Sequence, residues 1–142
     1  MTLTLDSNVL IDLGNGDDAS VRRNFVDAKR RGERLHVSPQ ALHEVAYGAL
    51  ISSRPLHHSE VLHRVLADLL VEPFTAGDSR ASAQIRAERR RLGKPIGVVD
   101  AMIAGQALAR GWAVITADRD DFDNIPGLAV VNWRSAATNT EL

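Results

Sequence analysis

The sequence has no cysteine, which excludes disulfide stapling, thiolate nucleophiles and sulfur-ligated metals. Aromatic residues make up only 4% of it, with two Trp, one Tyr and three Phe. So few rings argue against a nucleic-acid surface built on base stacking, and Trp112 and Trp133 read as packing residues. No apolar run approaches the roughly 18 residues of a membrane-spanning helix, so no membrane association is expected. The opening residues 1–6 read as a strand, without the basic segment and long apolar core of a secretory leader, so a cytoplasmic protein is expected. An excess of charge of one sign is also missing, since 17 Lys+Arg face 18 Asp+Glu for a net charge of -1. That balance leaves nucleic-acid binding open, because the distribution of charge matters more than its sum. There is no internal repeat, low-complexity tract or linker.

What is present fits one compact domain: 142 residues, 44% hydrophobic and 25% charged. Residues 1–134 read as that domain and residues 135–142 as a polar tail. Short apolar, β-prone runs at residues 2–5, 35–37, 71–74, 113–116 and 129–131 read as strands. Between them, helical periodicity covers residues 8–13, 19–31, 59–70, 78–92 and 98–110. A further helix opens at Ser38-Pro39, with Ser as cap and Pro in the first turn. Gly32, Gly93 and Gly111 read as helix stops. Strands alternating with helices predict an α/β domain with a mostly parallel central sheet of about five strands flanked by helices.

In such a sheet, ligands collect at the carboxyl ends of the strands. Asp6 ends the first strand. Asp118 follows the fourth by two residues. Both face one crevice if those strands are neighbours. Glu44 lies in the first two turns of the helix after strand two. Asp100 lies in the first turn of the helix before strand four, and spacing alone leaves its end of the sheet open. Taken singly, each acid has an ordinary explanation: Asp6 as a helix cap, Asp100 as a first-turn acid, Asp118 as a turn residue, Glu44 as a solvated helix residue. Taken together they describe a different site. Two carboxylates ~4 Å apart repel by about 4 kcal/mol at an effective dielectric near 20, so a shared crevice calls for protons or a cation. An all-oxygen donor set suits a hard ion such as Mg²⁺ or Mn²⁺. Such an ion suits phosphodiester hydrolysis.

Four stretches then match a known family in order. Leu5-Asp6-Ser7-Asn8-Val9-Leu10 is close to the "LDTNV" opening of PIN domains. Residues 38–48, from Ser38 through Glu44 to Gly48, resemble their "S..T..E...G" segment. Ile96-Gly97-Val98-Val99-Asp100-Ala101-Met102-Ile103-Ala104 is similar to "(I)G..D..IA". Val114-Ile115-Thr116-Ala117-Asp118, continuing to Phe122, is similar to "(L)(V)T.D..F". The ending Ile125-Pro126-Gly127-Leu128 with Asn132-Trp133 looks like the tail of VapC-type toxins. The sequence thus resembles the PIN-domain family, in its VapC-type form, from Leu3 to Trp133. One departure is Ala41, where the family often has Thr.

The resemblance implies a single PIN-like domain acting as a Mg²⁺- or Mn²⁺-dependent endoribonuclease toxin. It implies that Asp6, Glu44, Asp100 and Asp118 converge as the catalytic, metal-holding set, with Glu44 binding directly or through water. Thr116 matches the usual hydroxyl position. Asn8 is expected to support Asp6, and Asp121 is a weaker candidate ligand. The resemblance also implies a VapB-type antitoxin partner, an RNA substrate, a homodimer and a higher toxin–antitoxin assembly. The apolar side of the helices at residues 42–50 and 59–70 reads from the residues as mostly ordinary core, and the resemblance implies that this region serves as a groove for an antitoxin helix.

Other features carry less. Arg86, Arg89, Arg90, Arg91 and Lys94 form a basic stretch before Asp100 that could grip phosphates or simply be solvated. His58 and His63 are five apart, which is not the spacing of a helical zinc pair. An aspartyl phosphotransferase would need a second Asp two residues after Asp6, where Asn8 stands. The remaining alternatives are a catalytically silent PIN-fold binding module and an RNA-processing PIN nuclease without an antitoxin.

Overall fold

The computed structural model describes residues 1–134. The polar tail read at residues 135–142 lies outside the described residues. Five strands and six helices alternate: β1 (Thr2–Leu5), α1 (Ser7–Asn15), α2 (Ala19–Arg30), β2 (Arg34–Val37), α3 (Pro39–Leu50), α4 (Pro55–Leu66), β3 (Leu70–Val71), α5 (Ala76–Arg91), α6 (Val98–Arg110), β4 (Ala113–Ile115) and β5 (Ala129–Val131). All strands are parallel and lie in the order β3-β2-β1-β4-β5. The α/β class and five-stranded parallel sheet expected from the sequence are therefore observed.

Strand order reverses between β1 and β4, which are hydrogen-bonded neighbours with Leu3 opposite Ala113 and Leu5 opposite Ile115. Chains leaving two adjacent strands in opposite directions open a crevice at the strands' carboxyl ends. The strands themselves are buried on both sides, as a parallel sheet requires: Leu5, Val114 and Ile115 are at most 1% exposed. Side chains fix the helix starts beside this edge. Asp6 caps α1 by accepting from the Ser7 amide at 2.8 Å. Ser38 caps α3 by accepting from the Ala41 amide at 3.0 Å, with Pro39 next in line.

Helix α6 explains Asp100. Only Gly111 and Trp112 separate its end from β4, and Gly111 sits at φ 70. So short a turn forces α6 to run antiparallel to the strands. Its first turn, with Asp100, therefore lies at the carboxyl edge. Helix α5 packs along α6 in an antiparallel pair held at its far end by an ion pair. Arg110 reaches Asp78 at 2.8 Å, the Pro73 carbonyl at 2.7 Å and Glu72 at 3.7 Å. Asp78 is buried, and the Arg110 guanidinium with the Thr75 amide holds its carboxyl below the usual range, overcoming the opposing effect of burial.

This pair sets a stability prediction. Asp78 is lower in pKa folded than unfolded, so its contribution is full above the ordinary carboxyl pKa near 3.9 and is lost as pH falls through the folded value. Arg110→Met leaves a buried carboxylate uncompensated and is expected to cost about 3 kcal/mol at pH 7. The deficit should shrink as pH is lowered below about 4, where Asp78 takes up a proton. Urea denaturation at pH 7 and pH 3 checks both statements; an equal deficit at the two values contradicts them.

Two elements depart from the sequence expectation by more than two residues at an end. Helix α4 spans Pro55–Leu66 rather than residues 59–70, and β3 is Leu70–Val71 rather than residues 71–74. Pro55 starts the helix a turn earlier. The apolar period runs on into Leu69 and Leu70, which belong to the turn and the strand, and so hides the helix end.

Candidate active site

At the carboxyl edge of β1 and β4 the central group is Asp6, which is 3% exposed. Its Oδ1 accepts from the Ser7 amide and its Oδ2 accepts from the Thr116 hydroxyl at 2.9 Å. Thr116 is fully buried just beyond β4. Its single hydroxyl proton goes to Asp6. Its lone pairs accept from the Asp118 amide at 3.0 Å and from Asn8 Nδ2 at 3.4 Å. Asn8 Oδ1 in turn accepts from the Ala117 amide at 3.1 Å. One hydroxyl thus ties together the ends of β1 and β4, and Asn8 acts on Asp6 through it. Each Asp6 oxygen keeps a further lone-pair site.

The other acids approach from separate elements. Asp100 comes from the first turn of α6, Glu44 from the exposed side of α3, and Asp118 and Asp121 from the connection after β4, where Arg119–Asp121 form a 3-10 turn. Their fields overlap. Asp100 is pushed up to about 7, first by burial and then by the charges of Asp6, Asp121, Glu44 and Asp118. Asp6 is also raised, chiefly by burial, with Glu44 and Asp121 adding to it while Ser7 and Thr116 oppose. Asp121 is raised by burial and by Asp118 beside it. The charges of the other three acids singled out in the sequence, Asp6, Glu44 and Asp118, thus all reach Asp100. Asp121 joins them more closely than its motif position suggests, since it acts on both Asp6 and Asp100.

Among the described residues, no three His or acidic side chains stand ready-made to hold a metal ion. The chemistry of these groups, carboxylate oxygens that are partly desolvated and mutually repelling, would suit a hard cation. A divalent ion would relieve the repulsion that raises Asp100 and Asp6.

The basic stretch divides. Arg89 is buried, and Arg91 pairs with Glu88, whereas Arg86, Arg90 and Lys94 are exposed. Sequence reasoning missed the inward turn of Arg89, because its partners are backbone carbonyls from distant segments. It also missed the ion pair of Arg134 with Asp12, at 2.6 and 2.9 Å, which anchors the end of the described chain to α1. His58 bonds Ser52 at 2.7 Å, and His43 stacks near Tyr47. Trp133 is buried and Trp112 stacks on His36 with ring centroids 4.3 Å apart, so both rings pack.

An apolar groove of about 310 Å³ opens beside the acids, between α1, α3 and α4. Leu10, Val45, Ala49, Val61 and Leu62 line it, and Glu44 stands on the wall it shares with the crevice. Ile11 on its rim is 52% exposed, and Tyr47, Leu50 and Ile51 nearby are exposed as well.

Residues 3–128 match the PIN domain family. The chain belongs to the PIN-domain family. A curated relative from Shigella flexneri, named tRNA(fMet)-specific endonuclease VapC, is 33% identical over 129 residues, covering 91% of this chain and 96% of the relative. Chains in solved complexes share this fold. A DNA-bound VapBC structure from Salmonella typhimurium aligns with TM-score 0.85 at 32% identity, covering 94% of this chain and 98% of that one. VapBC2 from Rickettsia felis, bound to a fragment of its promoter DNA, aligns with TM-score 0.87 at 26% identity, covering 94% and 99%. This PIN domain is therefore VapC-like over nearly its whole described length. Among the described residues, no helix is long and apolar enough to cross a membrane.

Proposed function

We propose that this PIN domain is a Mg²⁺- or Mn²⁺-dependent endoribonuclease toxin, working in the cytoplasm and held in check by a VapB-type antitoxin. The observation that carries the reading is the crowding of Asp6, Glu44, Asp100, Asp118 and Asp121 at one sheet edge, strong enough to lift Asp100 to about 7. Asp6, Asp100 and Asp118 would hold the ion, with Glu44 and Asp121 directly or through water. The chemistry such an ion would supply, when bound, is activation of a water toward an RNA phosphodiester and compensation of charge on the departing oxygen. The chain's own groups do the positioning. Thr116 and the Ser7 amide fix the Asp6 carboxylate, and Asn8 locks Thr116 to the Ala117 amide. Arg86 and Arg90 of α5 and Lys94 just beyond it are exposed, and we propose that they meet phosphates. The relative's name makes a tRNA the first substrate to try.

The test is cleavage of tRNA and total RNA by the purified protein. Cleavage is expected with Mg²⁺ or Mn²⁺, is stopped by EDTA, and disappears in Asp6→Asn. Cleavage that survives EDTA and this substitution sinks the reading.

Thr116→Val keeps the shape of the side chain but removes the hydroxyl shared by Asp6, Asn8 and Asp118. The expected loss is about 10–100-fold in metal affinity and activity, the usual effect of removing a group that orients a ligand. Titration of cleavage against Mg²⁺ measures it, and a wild-type metal requirement contradicts it.

For the antitoxin, the apolar groove is the proposed seat of an amphipathic helix. Ile11→Asp is expected to leave RNA cleavage intact. It should weaken the complex by more than tenfold, since burying an unpaired carboxylate there costs several kcal/mol. Titration with the antitoxin measures this, and undiminished affinity places the interface elsewhere.

A further inference from the structure

Arg89 is the first of three consecutive arginines that end α5, yet it is only 7% exposed. Its Nε donates to the Lys94 carbonyl at 2.8 Å. Its Nη1 donates to the carbonyls of Asp121 at 3.3 Å and Asp123 at 3.1 Å. These acceptors belong to two different connections. Lys94 lies in the one that leads into α6 and Asp100. Asp121 and Asp123 lie in the one that follows β4 and carries Asp118. The second connection is irregular backbone, with Asn124 at φ 65 and Gly127 at φ 82. Arg89 borders a small pocket together with the apolar Ile85, Leu108 and Ile125 and the polar Gln84, Glu88 and Asn124. Burying a guanidinium costs desolvation, which its three hydrogen bonds to carbonyls must offset.

We propose that Arg89 is a positioning residue of the nuclease site, clamping the acid-bearing connection after β4 to the end of α5 and to the connection that leads into α6. The clamp sets the separation between Asp118 and Asp121 on one side and Asp100 on the other. A guanidinium suits the task because its donors point in fixed in-plane directions and its charge is permanent, whereas an ammonium offers no such fork. The Arg89 charge also opposes the rise of Asp121. As a statement about catalysis the inference rests on the nuclease reading; as a statement about the clamp it does not.

The experiment compares wild type with Arg89→Lys and Arg89→Met by three readouts. Hydrogen exchange is followed at the Phe122 and Asp123 amides, which bond back to the Arg119 carbonyl at 2.9 and 2.8 Å. Mn²⁺ affinity is measured by calorimetry without RNA. RNA cleavage is resolved into kcat and KM. Exchange at Phe122 and Asp123 is expected to rise at least tenfold while that of β1 stays unchanged. Mn²⁺ affinity should fall about tenfold or more, with kcat lowered and KM for RNA kept. Arg89→Lys carries the test if Arg89→Met does not fold. Wild-type exchange or wild-type Mn²⁺ affinity in a folded variant overturns the proposal, even if its melting temperature falls, and assigns Arg89 to packing alone. If wild type itself neither binds Mn²⁺ nor cleaves RNA, the nuclease reading fails, and exchange at the two amides still decides the clamp.

Discussion

Asp100→Asn is expected to abolish RNA cleavage, by about a thousandfold or more, while making the protein more stable in EDTA. The two effects share one cause. Asp100 stands among Asp6, Asp121, Glu44 and Asp118 and is raised to about 7. A carboxyl raised in the fold above its unfolded value of about 3.9 weakens the fold as pH climbs from about 4 to about 7, and the penalty is complete above that. A rise of that size corresponds to about 4 kcal/mol, and partial exposure of Asp100 screens this to roughly 1–3 kcal/mol. Asparagine removes the charge with little change of shape, so the melting temperature in EDTA at pH 8 should rise by roughly 3–8 °C. At pH 4 the two proteins should melt alike. Mg²⁺ at a hundred times its dissociation constant should stabilise wild type by about 2.7 kcal/mol and the variant far less. A variant that melts below wild type in EDTA, or responds equally to Mg²⁺, contradicts the electrostatic account.

Gly105→Ala is expected to cause a large loss of stability, since a Cβ there meets backbone more closely than one at any other glycine of the fold. A Cβ at Gly105 would lie 2.6 Å from the Ser82 amide nitrogen and 2.8 Å from its Cα. Those are backbone atoms of α5, and Ser82 is itself tied to the Asp78 carbonyl at 2.8 Å. No rotamer change relieves the clash, so α5 and α6 must separate. Overpacking of this kind costs about 3 kcal/mol, or a drop near 10 °C in melting temperature. Helix α5 carries Arg89 and α6 carries Asp100, so cleavage should fall as well. Thermal denaturation decides it; a shift within a degree of wild type means that the two helices pack less closely than described.

Much of this is legible in the sequence. The alternation of strands and helices determines the class, and the pattern alone puts Asp6 and Asp118 at strand ends. Spacing leaves Asp100 open, although the chain holds the answer. With only Gly111 and Trp112 before β4, its helix has to run down from the carboxyl edge. Other features are hidden for physical reasons. The apolar period of α4 continues without a break into Leu69 and Leu70, so periodicity overruns the helix end. Arg89 is chemically the same as its exposed neighbours Arg90 and Arg91, and the backbone carbonyls that draw it inward, one of them five residues on and two more than thirty residues away, leave no mark in the sequence pattern. Asp121 looks peripheral in the sequence because its motif position is one turn beyond Asp118. The 3-10 turn folds it back toward Asp6 and Asp100, a matter of local backbone that side-chain pattern does not encode.

Diffraction at the manganese absorption edge, from crystals equilibrated with Mn²⁺, bears most directly on the cleavage chemistry. An anomalous peak within about 2.0–2.3 Å of carboxylate oxygens from Asp6, Asp100 and Asp118 is the predicted result. Side chains that stay apart, with no peak between them, would show that these acids do not share a cation and that the proposed chemistry is wrong.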